Sequence, residues 1–161
     1  MDIVTIETDR MEIAPGSTPG YLVWRLATQW RTAVDRELAP LGLTHAQYVF
    51  LASLKQLSAS GPPTQRELCD HTGLDPVYVS KLARRLEAQG FISRADDAVD
   101  ARAVRLSLTG RGMESIEPAI SRVSALLDVL TAPLGGRDGR ETMQLTEMLR
   151  SLLESAIGER D

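Results

Sequence analysis

Residues 64–90 read T-Q-R-E-L-C-D-H-T-G-L-D-P-V-Y-V-S-K-L-A-R-R-L-E-A-Q-G, and this stretch decides the fold. Thr64 and Glu67 have the spacing of a capping box, which opens a short helix ending near Thr72-Gly73. Asp75 followed by Pro76 is an N-cap acceptor followed by proline at the first helical position. The helix it starts runs to about Gln89, and Gly90 supplies the stop. Counted from Gln65, a small residue stands at the fifth place (Cys69) and glycine at the ninth (Gly73), with apolar residues at the fifteenth (Val79) and eighteenth (Leu82). That is the pattern of a helix-turn-helix: close packing, a backbone turn, and a seat for the second helix. Val79, Leu82 and Leu86 share one helical face, leaving Pro76, Val77, Tyr78, Ser80, Lys81, Arg84 and Arg85 outside. Taken alone, that outer face reads equally as a major-groove surface or as the solvated side of an amphipathic helix.

Downstream the period changes. Phe91 to Arg94 is β-like, and Ala103 to Leu108 alternates with Val104, Leu106 and Leu108 on one side. With the polar loop Ala95 to Arg102 between them, they form an antiparallel hairpin. Arg94, Asp100, Arg102 and Arg105 lie on or around that loop. A slender hairpin carrying an arginine can reach a minor groove, where negative potential is concentrated. Asp100 is placed to orient the Arg102 guanidinium; the plainer alternative is a surface ion pair worth under ~1 kcal/mol. Asp96 and Asp97 make the hairpin tip acidic. Two helices follow, at about Arg111–Leu130 and Arg140–Ile157, separated by a turn at Pro133–Gly139. The last carries Leu145, Met148, Leu149, Leu152, Leu153 and Ala156, apolar on more than one face.

Upstream, Leu22, Leu26, Trp30, Val34 and Leu38 mark a helix over Tyr21–Leu38, ended by Pro40 and Gly42. Thr44 and Gln47 form a second capping box, and the helix behind it uses Tyr48, Leu51, Ala52 and Leu54 as its apolar face. Ser58–Pro63 reads as a loop. Residues 1–18 read as a flexible arm, with a short strand at Ile3, Val4 and Ile6.

The chain has 161 residues, 43% of them apolar and 25% charged, so a folded domain is expected rather than disorder. One cysteine rules out a disulfide framework, and two histidines leave a zinc site short of ligands. The net charge of −4 hides an uneven distribution: residues 64–111 hold eight basic and seven acidic side chains, so the excess of acid lies elsewhere. Sixteen of the eighteen cations are arginine, whose planar fork suits phosphate and guanine edges. Charges throughout the first twenty residues exclude a signal peptide, and no uncharged run is apolar enough to span a bilayer. A cytoplasmic protein without membrane partners is expected. Neither a phosphate-cradling G-x-x-x-x-G-K-S/T loop nor H-E-x-x-H occurs, so an enzyme, a metal site or a cofactor is not expected.

Gly73–Arg94, followed by D-A-R-A-V-R-L-S-L-T-G-R-G at Asp100–Gly112, resembles the MarR family of bacterial transcriptional regulators. So does L-A-P-L-G-L-T-H-A-Q-Y at Leu38–Tyr48. The family's wing signature, D-x-R then L-T-x-x-G, is matched by Asp100, Arg102, Leu108, Thr109 and Gly112. The resemblance implies a mainly α fold with a small β-hairpin wing: a winged helix-turn-helix flanked by N- and C-terminal dimerisation helices. Its segments would be 19–43 (dimerisation helix), 44–112 (DNA-binding domain) and 113–161 (dimerisation helices). It further implies a homodimer on a double-stranded, pseudo-palindromic operator, with repression as its usual outcome. The DNA-facing residues so assigned are Thr64, Gln65, Pro76, Val77, Tyr78, Ser80, Lys81, Arg84, Arg94, Asp100 and Arg102. Arg94 would sit at the wing's base, tied to Asp100.

Such regulators often respond to a small aromatic or lipophilic effector held where the dimerisation helices meet the DNA-binding lobe. Candidates for that pocket are Trp24, Arg25, Trp30, His45 and Tyr48, although aromatics on apolar helical faces are more often core. Cys69, at the packed position of the helix-turn-helix, reads as structural rather than as a reactive thiol. A winged helix that binds protein instead of DNA is the alternative, favoured by the negative net charge and the acidic wing tip.

Overall fold

The computed structural model describes residue 16 and residues 18–155. The strand expected at Ile3, Val4 and Ile6, most of the arm, and the end of the last helix at Ala156 and Ile157 lie outside the described residues. The elements are α1 (Pro19–Leu38), α2 (His45–Leu57), α3 (Gln65–Thr72), α4 (Pro76–Ala88), β1 (Ile92–Asp96), β2 (Val104–Leu108), α5 (Gly110–Thr131) and α6 (Arg140–Glu154). Short 3-10 turns at Ala39–Leu41, Ser58–Ser60 and Ala132–Leu134 join some of them. Two compact units divide the chain, Met1–Thr32 and Ala33–Asp161, so α1 contributes to both.

Both capping boxes form. Thr44 Oγ1 accepts from the Gln47 N–H at 3.3 Å, and Gln47 Oε1 accepts from the Thr44 N–H at 2.9 Å. Thr64 and Glu67 exchange the same pair at 3.1 and 2.6 Å. Each box satisfies two N–H groups that a helix start leaves without partners. Asp75 Oδ1 accepts from the Tyr78 N–H at 2.9 Å, and Pro76 takes the first helical place. Gly73 closes α3 in the left-handed region at φ +65°, its N–H bonded to Cys69 O at 2.8 Å.

The core of the second unit is drawn from every element from α2 to α5: Phe50, Leu54, Leu68, Leu86, Ile92, Leu106 and Ile116 are all buried. On α2 the buried set is Gln47, Phe50, Leu51 and Leu54, with Tyr48 and Ala52 only half-buried. The expected face omitted Phe50. α2 packs against α3, β2 and α5 at once, which turns its inner face further round the helix than a single apolar stripe suggests. Gln47 is buried with both ends of its amide engaged: Oε1 caps α2, and Nε2 donates to Gln89 Oε1 at 3.1 Å.

The hairpin is antiparallel, with Ile92 opposite Leu108 and Asp96 opposite Val104. β1 begins one residue later than expected and reaches Asp96, because Phe91 is used to close α4: its N–H bonds Leu86 O at 2.9 Å. Pro63 O accepts from the Leu106 N–H at 2.9 Å, and Thr64 bridges Arg105, so the end of the expected loop lies against β2 as a third edge.

Thr109 and Gly112 explain the L-T-x-x-G pattern physically. Thr109 caps α5 by accepting from the Gly112 N–H at 3.0 Å, and its hydroxyl donates to Gly90 O at 2.6 Å. The Thr109 N–H bonds Phe91 O at 3.0 Å. Gly112 is buried against this turn, and a Cβ there would lie 2.0 Å from Phe91 O. The motif thus clamps the end of α4 and the base of the hairpin to the start of α5. Within α5, Pro118 is accommodated without ending the helix.

Apolar side chains remain uncovered on both units. α1 exposes Leu22, Val23 and Trp24; α6 exposes Met143, Met148, Leu152 and Leu153.

Candidate nucleic-acid interface

α4 divides as its sequence requires. Val79, Leu82, Ala83 and Leu86 are buried, while Pro76, Val77, Tyr78, Lys81, Arg84 and Arg85 are exposed and Ser80 is half-buried. α3, α4 and the hairpin together enclose an open cleft of about 630 Å3. Thr64, Gln65, Pro76, Ser80, Arg94 and Arg102, six of the residues singled out from sequence, line it. Val77, Tyr78, Lys81, Arg84 and Asp100 are not among its walls; they lie exposed elsewhere on α4 and the hairpin loop. Arg66, Cys69 and Asp70 from α3 and Ala103 and Val104 from the hairpin complete it. Arg66 was legible only as one charge among many. Inside the cleft the cations Arg66, Arg94 and Arg102 outnumber the single carboxylate of Asp70, against the negative charge of the whole chain. Arg94 Nε and Gln65 Oε1 are buried there without a hydrogen-bond partner in the protein.

Three details of the wing differ from expectation. Asp100 does not hold the Arg102 guanidinium: its Oδ1 accepts from the Arg102 backbone N–H at 3.0 Å. A turn in which a carboxylate captures the N–H two residues on is a local backbone device, so it shapes the loop and leaves the exposed guanidinium to other partners. Nor is Arg94 tied to Asp100. Arg94 Nη1 pairs with Glu87 Oε2 of α4 at 3.5 Å, because β1 runs directly on from α4.

The acidic tip is the third. Asp97 is only 9% exposed. Its Oδ1 accepts from the N–H groups of Val99 and Asp100 at 2.8 and 2.9 Å, and its Oδ2 pairs with Arg105 Nε. Arg105 also donates to Pro62 O. Asp97 therefore folds the wing loop and pins it to the segment before α3, so its charge is spent inside the hairpin. Those backbone N–H groups, with Arg105 behind them, hold its carboxyl below the usual range. The available signal was an aspartate opening a polar loop, the usual seat of such a turn. Asp96 remains exposed.

The five effector candidates are distributed over the two units. In the first, Trp24 is 62% exposed, with its ring 5.8 Å from that of Tyr21, and Arg25 lies in a shallow groove with Leu22, Leu26 and Gln29. Trp30 is half-buried. In the second, the His45 N–H reaches Asp35 Oδ1 at 3.3 Å, and burial pushes the Tyr48 hydroxyl above its usual pKa. Burial likewise raises the Cys69 thiol, with the Asp70 and Asp75 carboxylates adding to the effect. Such a thiol stays protonated, as its packed position suggested. Among the described residues no cluster of His, Cys, Asp and Glu could hold a metal ion, and no helix is long and apolar enough to cross a membrane.

Comparison with known proteins points the same way. Residues 41–103, which span α2 to the wing loop, match the model of the MarR family. An uncharacterised helix-turn-helix transcriptional regulator of Bacillus subtilis, YdcH, is 37% identical over 113 residues, covering 70% of this chain and 77% of the relative. The chain belongs to the MarR family. Its structure is similar to that of S. aureus MepR in complex with DNA, with TM-score 0.76, 26% identity, and coverage of 86% of this chain and 98% of that one. It is also similar to a mutant of E. coli MarR bound to operator DNA, with TM-score 0.73 and 25% identity over 83% of this chain and 92% of that one. A further likeness is to the PcaV transcriptional regulator of Streptomyces coelicolor, solved with its natural ligand: TM-score 0.70, 26% identity, 97% of this chain and 99% of that one covered. This chain is thus a MarR-family transcriptional regulator with a winged-helix fold.

Proposed function

We propose that this regulator acts as a cytoplasmic homodimer that binds a pseudo-palindromic DNA operator, usually to repress, and that a small aromatic or lipophilic molecule releases it. The observation that carries the DNA reading is the arginine-lined cleft between α3, α4 and the wing. A helix N-terminus and three guanidinium groups converge there in a protein whose net charge is −4. Arg66 and Arg102 are exposed and open to phosphate, while Arg94 is held by Glu87. Thr64 and Gln65 at the start of α3, with Arg102 on the wing, contact backbone; Pro76, Val77, Tyr78, Ser80, Lys81 and Arg84 meet base edges. Asp100 acts by shaping the wing.

The dimer follows from the uncovered faces of α1 and α6, which a lone chain leaves in water. Segments 19–43 and 113–161 serve as the dimerisation helices around the DNA-binding domain at 44–112. The effector reading draws on the aromatic side chains of Trp24, Trp30 and Tyr48, on Arg25 and His45, and on the ligand-bound PcaV relative. The test is a gel-shift titration with duplex DNA from upstream of the protein's own gene, run beside scattering-based mass measurement. Saturable retardation by a species of twice the chain mass supports the proposal. A folded chain that ignores this and randomised duplexes would favour a winged helix that binds protein.

A further inference from the structure

Val77 is an anomaly on α4. It is 60% exposed, the one branched aliphatic side chain among the exposed positions of α4, where Pro76, Tyr78 and Ala88 accompany the charged Lys81, Arg84, Arg85 and Glu87. Helical arithmetic places it closely. At about 100° per residue, the buried positions Val79, Leu82, Ala83 and Leu86 centre on a direction about 170° from Val77. Val77 therefore stands at the middle of the outward face, nearer to it than Lys81 and much nearer than Tyr78, with Arg84 beside it two turns on. The fold gains nothing from this valine, since its side chain is in water. Nor does it serve the helix start, which Asp75 and Pro76 already provide.

This argument rests on the DNA reading given above. In a major-groove helix the N-terminal turns face base edges. Among the groups displayed there, the 5-methyl of thymine is the apolar one, and a small aliphatic side chain is its natural complement. We infer that Val77 is a specificity-determining residue that packs on a thymine methyl, once in each operator half-site. Ser80, Lys81 and Arg84 then supply the polar contacts around that apolar centre. Cytosine methylated at the same carbon presents the same group at the same place, so it substitutes for thymine at the methyl contact.

The experiment enriches duplexes from a random-sequence pool with the full chain. Each thymine of the enriched site is then replaced in turn by deoxyuridine, which removes only the methyl. One symmetric pair of thymines should show a loss of about fourfold per half-site, the effect of one buried methyl. In Val77→Ala, whose exposed site leaves folding intact, the same replacement should cause no measurable loss. If every thymine can be replaced without cost, or if the cost persists unchanged in Val77→Ala, the inference is overturned while the regulator reading stands. If no sequence is enriched above the pool, both fall.

Discussion

Replacing Gly112 by alanine sets two effects of opposite sign against each other. Gly112 lies in the first turn of α5, where alanine is intrinsically favoured by about 1 kcal/mol. Its Cβ, however, would lie 2.0 Å from Phe91 O and 3.2 Å from Leu108 Cδ2. The first of these is a backbone atom, which cannot swing aside as the end of a flexible side chain can. To reach even the closest tolerable contact it must retreat by more than about 1 Å, and it is already held at 3.0 Å by the Thr109 N–H. Overpacking costs about 1–3 kcal/mol, and the weakened hydrogen bond about 1 more. After the helical gain, the net loss is about 1–3 kcal/mol. For a chain of this size that lowers Tm by about 2–4 °C per kcal/mol. Gly110→Ala is the control, since a Cβ there meets nothing within 4 Å. It should be neutral or stabilising. Urea and thermal unfolding at fixed protomer concentration read both variants. If Gly112→Ala proves as stable as the parent, or gains as Gly110→Ala does, the clamp between α4, the wing and α5 is not what the glycine serves.

Three further outcomes follow from the same geometry. Because the folded state holds the Asp97 carboxyl below its usual pKa, its stabilisation is complete above the ordinary carboxylate range and is lost as pH falls through the lower folded value. Unfolding midpoints of the parent and Asp97→Asn should therefore differ at neutral pH and converge in acid. Arg102→Ala should weaken binding to all duplexes and flatten its salt dependence, whereas Arg84→Ala or Ser80→Ala should alter preference among operators, as competition titrations will show. Cys69, buried with a raised pKa, should react with a disulfide reagent at neutral pH far more slowly in the folded chain than in urea.

Much of this molecule is legible in its sequence because its helix ends are written in local chemistry. Thr44, Thr64, Asp75 and Gly73 each act within four residues of themselves, so spacing alone finds them. The wing is harder, because its contacts cross elements. Nothing near Arg105 in sequence shows that it will bind Asp97 and Pro62 O, eight and forty-three residues away. For that reason Asp97 was expected to add to an acidic tip, whereas its charge is taken up inside the turn and only Asp96 of the pair stays exposed. Arg94 has the same history: its partner is Glu87, which only the path of the chain out of α4 brings close. Phe50 was passed over because a periodicity argument assumes one packed face, and α2 is enclosed by three neighbours. Of the site, the outward face of α4 was readable residue by residue; that only Pro76 and Ser80 of it line the cleft with Gln65 and Arg102, and that Arg66 joins them, was not.

The most direct test of the account is a pair of footprints of the full chain on its enriched operator, dimethyl sulfate reading guanine N7 in the major groove and hydroxyl radical reading the sugars along the minor groove. Two symmetric major-groove protections about one helical turn apart are predicted, each flanked by a minor-groove protection that disappears with Arg102→Ala. Protection of a single unflanked patch, or a footprint unchanged in an Arg84→Ala, Arg102→Ala double variant, would contradict it.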